Sequence, residues 1–169
     1  MGLHPQTIGK TMPHGYAGSY ARQPDMIVNT RPAGAEIPFG APLKYDENGA
    51  VMPFAAGDKG EDFAGVAARE VKSALHFLEQ DIGGYALSEA VPLFQRGCVN
   101  VKCQNGQPAL GGAVYVRVAA NESIPAAQVG GFEAGADGAN SVQLPSCQWA
   151  GPADANGVAE LRILTLNKA

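Results

Sequence analysis

Charge is scarce in this sequence: Asp, Glu, Lys and Arg make up 17% of its 169 residues, against about 25% in an ordinary soluble domain. The basic residues are scattered singly and the net charge is −4, so the positive face that a nucleic-acid binder needs is missing. No stretch approaches the roughly 20 consecutive apolar residues of a membrane span. Nor does a basic start lead into a short apolar segment at the N-terminus. The expectation is a soluble protein that binds neither nucleic acid nor membrane and is not exported by a cleaved signal.

Reactive side chains are also few. Histidine occurs three times, as His4, His14 and His76, and two of these lie in a proline-rich stretch where nothing in the sequence holds a fixed geometry. The three cysteines are an odd number. Cys98 and Cys103 stand an odd distance apart on one expected strand, so they point to opposite faces and cannot bridge. Cys147 is alone, and no C-x-x-C spacing suggests a structural zinc site. Thiols kept reduced in a cytoplasm fit this pattern. No phosphate-binding glycine loop is present, and Ser73, Ser88 and Ser146 lack the G-x-S-x-G elbow. Carboxylates gather at Asp46–Glu47, at Asp58 with Glu61–Asp62, and at Glu79 with Asp81, each in a glycine-containing turn where an Asx hydrogen bond or solvation accounts for it. The run Glu133 to Gly138 has some look of a calcium loop, but its spacing matches no known repeat. No catalytic residue, metal site or cofactor is expected, and the chain is read as a non-enzyme.

What is abundant is turn and strand chemistry, with 22 glycines and 12 prolines. Asn48–Gly49 separates the apolar runs 37–45 and 50–54, a hairpin signature. Pro38, Pro42 and Pro53 are expected to put these strands at an edge. Residues 63–71 read as a strand. Residues 71–80 carry Val71, Leu75 and Leu78 at helical spacing, but a long loop with at most one helical turn is preferred there. Val91 to Gln95, a tight turn at Arg96–Gly97, and Cys98 to Cys103 follow, then Ala113 to Val118; alternation places Val99, Val101, Val114, Val116 and Val118 on faces suited to a core. Residues 119–140 form an Ala- and Gly-rich loop suited to close approach to another surface. The strands Ser141–Leu144, Cys147–Ala150 and Val158–Leu166 close the chain. Trp149, with Tyr85, Phe94 and Tyr115, would be core packing or, alternatively, a platform for stacking sugars.

Seven of the prolines precede residue 54, and residues 1–34 show neither helical nor strand periodicity. They read as an extended arm, which loses little entropy when laid on a partner. Tyr16, Tyr20, Met26, Ile27 and Val28 would be its anchors. Partial packing of the arm on its own domain is the competing reading. The domain division is therefore an arm, 1–34, and a β-domain, 35–169. The fold class is all-β, a small sandwich or barrel of jelly-roll type with an extended N-terminal arm.

The order of pieces is itself informative: Gly15-Tyr16-Ala17-Gly18, Ile37-Pro38-Phe39-Gly40, Phe63-Ala64-Gly65-Val66-Ala67, Gly84-Tyr85, Val91-Pro92-Leu93-Phe94-Gln95-Arg96-Gly97, Val99-Asn100-Val101, Gly112 to Val116, and Val158-Ala159-Glu160-Leu161-Arg162. Together they resemble the cement, or decoration, proteins of tailed-bacteriophage capsids. That resemblance implies a small β-domain on the outside of the head. It would bind several copies of the major capsid protein, commonly as a homo-oligomer, a dimer or trimer, after synthesis in the bacterial cytoplasm. A tail or baseplate module that recognises carbohydrate through Trp149 is the alternative.

Overall fold

The computed structural model describes residues 13–69 and 83–164. Almost every regular element in it is a strand: β1 (Tyr20–Pro32), β2 (Ile37–Pro38), β3 (Pro42–Tyr45), β4 (Val51–Pro53), β5 (Phe63–Ala67), β6 (Gly84–Tyr85), β7 (Ala90–Asn105), β8 (Ala113–Arg117), β9 (Phe132–Glu133), β10 (Ser141–Trp149) and β11 (Val158–Ile163). The strands follow one another as β11-β10-β8-β9-β7-β5-β3-β4, and β11 also pairs with β7. Because β7 is bonded to both β9 and β11, the five strands β7, β11, β10, β8 and β9 close on themselves as a barrel. Closure removes the edges that an open sheet would expose. Of the two architectures expected from sequence, the barrel is the one realised.

The long strand β7 is the spine of the molecule. Its second half pairs with β11, from Gly97↔Ile163 to Lys102↔Val158, and lines the barrel. Its first half pairs with β5 at Val66↔Phe94 and Ala67↔Leu93, outside the ring. Two apolar clusters result. Val99, Val101, Val114, Val116, Phe132, Leu144, Trp149, Leu161 and Ile163 fill the barrel. Ile37, Phe39, Leu43, Val51, Tyr85, Val91 and Leu93 fill a smaller core under the β2–β6 pair and the β3–β4 hairpin. Along β11 every residue but Arg162 is buried, with Glu160 held by Arg22 on the face away from the barrel interior.

Arg96–Gly97 does not make the tight turn expected of it. The chain runs straight through as one strand, with Gly97 at φ +105°. A Cβ on Gly97 would stand 2.3 Å from the Asp25 carbonyl oxygen, so this glycine lets β1 cross close to β7 where the ladder slips.

Of the expected arm 1–34, residues 1–12 lie outside the described residues, and the remainder does not run free of the domain. Residues 20–32 are strand β1, paired antiparallel with β7 from Tyr20↔Val99 to Pro32↔Ala90. Register shifts between Tyr20 and Val28 break the two-residue alternation, which is why no strand period shows in the sequence. An isolated bridge from Ala33 to Val51 carries the connection past residue 34. The expected edge assignment holds for β4, but β3 lies between β5 and β4. Pro42 is tolerated there as the first residue of its strand. The possible helix at 71–80 falls outside the described residues.

Candidate functional site

The root of the N-terminal segment is where the structure concentrates its unusual packing. The backbone at Ala17–Gly18 crosses that at Gly40 so closely that a Cβ on Gly18 would lie 2.8 Å from the Ala67 oxygen, and one on Gly40 would lie 2.7 Å from the Ala17 Cβ. Both glycines have positive φ, so the crossing demands residues without side chains on two counts. Gly18 N–H donates to the Asn100 oxygen at 2.7 Å, and Arg69 N–H to the Gly18 oxygen at 2.8 Å. The Arg69 guanidinium then lies between two rings, 4.5 Å from the Tyr16 centroid and 5.3 Å from that of Phe39, a cation–π contact that seats the Gly15–Gly18 turn.

Two further ties hold this root. His14 N–H donates to Asp154 Oδ2 at 2.9 Å, and Asn100 Nδ2 to the His14 oxygen at 2.8 Å. Burial pushes the Asp154 carboxyl upward, but N–H donors from His14, Val158 and Asn156 outweigh it and leave the group below its ordinary value. Arg22 pairs with Glu160 at 2.6 Å. Burial likewise raises Glu160, and hydrogen bonds from Arg22 and the Cys98 thiol bring it below its usual range.

The five residues expected to anchor a partner separate into two sets. Tyr20 packs on Phe94, ring centroids 5.7 Å apart, and Met26 and Val28 lie half-buried against the barrel core. Tyr16 (48% exposed) and Ile27 (38%) face outward. Sequence reading missed three other outward apolar side chains, Leu87, Leu110 and Val129. Their signal was an apolar residue inside a turn-forming stretch, as in Ala86-Leu87-Ser88 and Leu110-Gly111-Gly112.

Residues 119–140, expected to approach another surface, fold onto the barrel itself. Arg117 and Glu133, both fully buried, form a bidentate pair at 2.5 and 3.1 Å. Arg117 Nη1 also donates to Asp137 at 2.8 Å, and Asn121 donates to both Asp137 oxygens. The Asn121 and Arg117 hydrogen bonds hold the Asp137 carboxyl below its ordinary value, and Glu133 raises that of Arg117. The calcium-like run is thus occupied by an arginine, and among the described residues no group of His, Cys, Asp and Glu could hold a metal.

Several of the remaining candidate groups have local partners. Asp46 accepts from the Asn48 and Ala50 amides in its turn, and Asp58 takes the Lys44 ammonium. His14 is the one histidine among the described residues, while His4, His76, Glu79 and Asp81 lie outside them. All three thiols are free. Burial pushes Cys147 up to about 12 and raises Cys98 and Cys103 as well, which makes them poor nucleophiles. Trp149, Tyr85 and Phe94 are buried and offer no face on which a sugar could stack, while Tyr115 is half-buried on β8.

A closed barrel with a second, smaller apolar cluster beside it, built almost wholly from strands, defines an all-β protein. The comparisons give the class a family. The family model described as structural cement protein (E217 gp24/Pam3 gp6) matches residues 4–164, and the chain belongs to that family. A solved structure, "The capsid of Myoviridae Phage XM1", aligns with TM-score 0.65 over 94% of this chain and 96% of that chain at 16% identity, a likeness of fold. A search of curated proteins returns no match. The protein is a virion component, a cement or decoration protein of the phage capsid.

Proposed function

We propose that the protein sits on the outer surface of the phage head, contacts neighbouring copies of the major capsid protein, and works as a homo-oligomer without catalysing any reaction. The observation that carries this reading is the outward display of Tyr16, Ile27, Leu87, Leu110 and Val129 by a closed, hydrogen-bonded scaffold. Contacts of this kind are weak singly; repeated over a shell they combine through effective concentration into resistance to rupture. Assembly after synthesis in the host cytoplasm suits three unpaired thiols.

The test is sedimentation of undecorated capsids with purified protein. Wild type is expected in the particle fraction, and electron microscopy places it on the outside. Tyr16→Ala and Leu110→Asp are expected to reduce the bound fraction while leaving the melting temperature within a few degrees. Protein that stays in the supernatant, or that lines the inner face, ends the proposal.

A further inference from the structure

We infer that this protein carries two self-modifying loops. Asn48 and Asn156 each close on the nitrogen of the glycine that follows, lose ammonia and reopen as aspartate or isoaspartate, while Asn105, in the third Asn-Gly pair of the sequence, is spared by the fold. The inference goes beyond the capsid reading and does not rest on it.

The two loops share one construction. In Asp46-Glu47-Asn48-Gly49-Ala50, Asp46 Oδ1 accepts from the Asn48 and Ala50 amides, both at 2.8 Å. In Asp154-Ala155-Asn156-Gly157-Val158, Asp154 Oδ1 accepts from the Asn156 and Val158 amides at 2.8 and 3.0 Å. Each aspartate fixes its loop from the first residue and leaves the asparagine exposed at the tip.

The attacking atom is the glycine nitrogen, which no Cβ shields. A bond forms from it to the asparagine Cγ, the bond from Cγ to the side-chain nitrogen breaks, the glycine N–H proton passes to solvent and the freed nitrogen leaves as ammonia. Water then opens the five-membered ring. Attack at Cγ gives aspartate, and attack at the backbone carbonyl gives isoaspartate, whose main chain is longer by one methylene. Either product adds one negative charge to a chain of net charge −4.

The hydrogen bond from the glycine N–H must give way first. Gly49 N–H reaches the Asp46 oxygen at 3.3 Å, beyond the usual range of about 2.7–3.2 Å, and a Cβ on Gly49 would meet nothing within 4 Å. Gly157 N–H is held by the Asp154 oxygen at 3.0 Å, so Asn48 converts ahead of Asn156. Asn105 ends β7 half-buried, and its oxygen accepts from the Ala134 amide at 2.8 Å. A Cβ on Gly106 would lie 2.7 Å from the Gly135 nitrogen. Backbone pairing on one side and crowding on the other keep this third pair from closing.

The purified full chain is held in warm, mildly alkaline buffer made with oxygen-18 water, digested in ordinary water and mapped by mass spectrometry. Label should enter fastest at Asn48 and next at Asn156. At Asn105 it should enter at least about tenfold more slowly, the factor given by a barrier higher by about 1.4 kcal/mol. In urea the three pairs should convert at similar rates, because the fold no longer separates them. Asparagine that stays intact at 48 and 156 in the folded chain while the urea-treated chain converts, or label at Asn105 that keeps pace with them in the folded chain, overturns the inference.

Discussion

Single residues in this protein carry unequal shares of the fold, and the unequal ones are those with no freedom to relax. Glu133 and Arg117 are both without exposure and are bonded to each other. Removing the Glu133 charge leaves the buried Arg117 guanidinium with Asp137 as its remaining carboxylate, and breaking into such a buried pair costs up to about 3–5 kcal/mol. Glu133→Gln is therefore expected to lower urea-unfolding stability by that order. Replacing both partners with leucine-sized apolar residues should cost clearly less than the two single changes together. Gly97 is constrained by geometry rather than charge. Its φ of +105° and the Asp25 oxygen 2.3 Å from any added Cβ act together. Gly97→Ala is expected to cost at least about 2 kcal/mol. Calorimetry would show this as a lowered melting temperature, and an unchanged one would mean that β1 moves aside freely.

At the scale of elements, β1 decides what a truncation means. Tyr20, Met26 and Val28 pack on the barrel core, and burying each contributes about 1–2 kcal/mol, so together they approach the whole margin of a small domain. Removing residues 1–34 is expected to abolish the cooperative melt. Removing residues 1–12 takes away none of the described strands and is expected to keep the melt, which makes it the deletion to carry into capsid-binding assays. Circular dichroism during heating distinguishes the two outcomes.

The strands that were legible in the sequence share one property, regular alternation. Val114 and Val116 of β8, Leu161 and Ile163 of β11, and the Asn48–Gly49 hairpin between β3 and β4 could all be read directly. β1 could not, because register slips shift its inward positions. Gly97 was misread because a glycine that ends a strand and one that bends it look alike in one dimension. The candidate surface was half legible. Of the five expected anchors, Tyr16 and Ile27 face outward, whereas Tyr20, Met26 and Val28 lie half-buried on the core, because aromatic and apolar content alone does not tell a surface side chain from one that packs on the chain's own core. The Arg117–Glu133 pair was invisible for a related reason: the partners lie 16 positions apart, and only the return of the long loop brings them together.

Over the whole molecule, three carboxylates tie outlying pieces to the barrel. Asp137 holds the 119–140 loop through Arg117 and Asn121, Asp154 holds the N-terminal root through His14, and Glu160 holds β1 through Arg22. All three groups sit below their ordinary values in the folded protein. A carboxyl whose value is depressed by folding stabilises the native state above its unfolded value, about 3.9 for Asp and 4.3 for Glu, and that contribution is lost as pH falls through the folded value. The melting temperature is therefore expected to stay level from about pH 7 to 5 and to drop below about pH 4. Asp154→Asn gives up the charge and keeps one oxygen, which can accept from the His14 amide or from the Asn156 and Val158 amides but not from both sets. It should lower the melting temperature at pH 7 and make the acid drop shallower. A profile of wild type that holds level down to pH 3 would mean that these ties are made equally well without charge, and that backbone pairing alone keeps the loop, the root and β1 against the barrel.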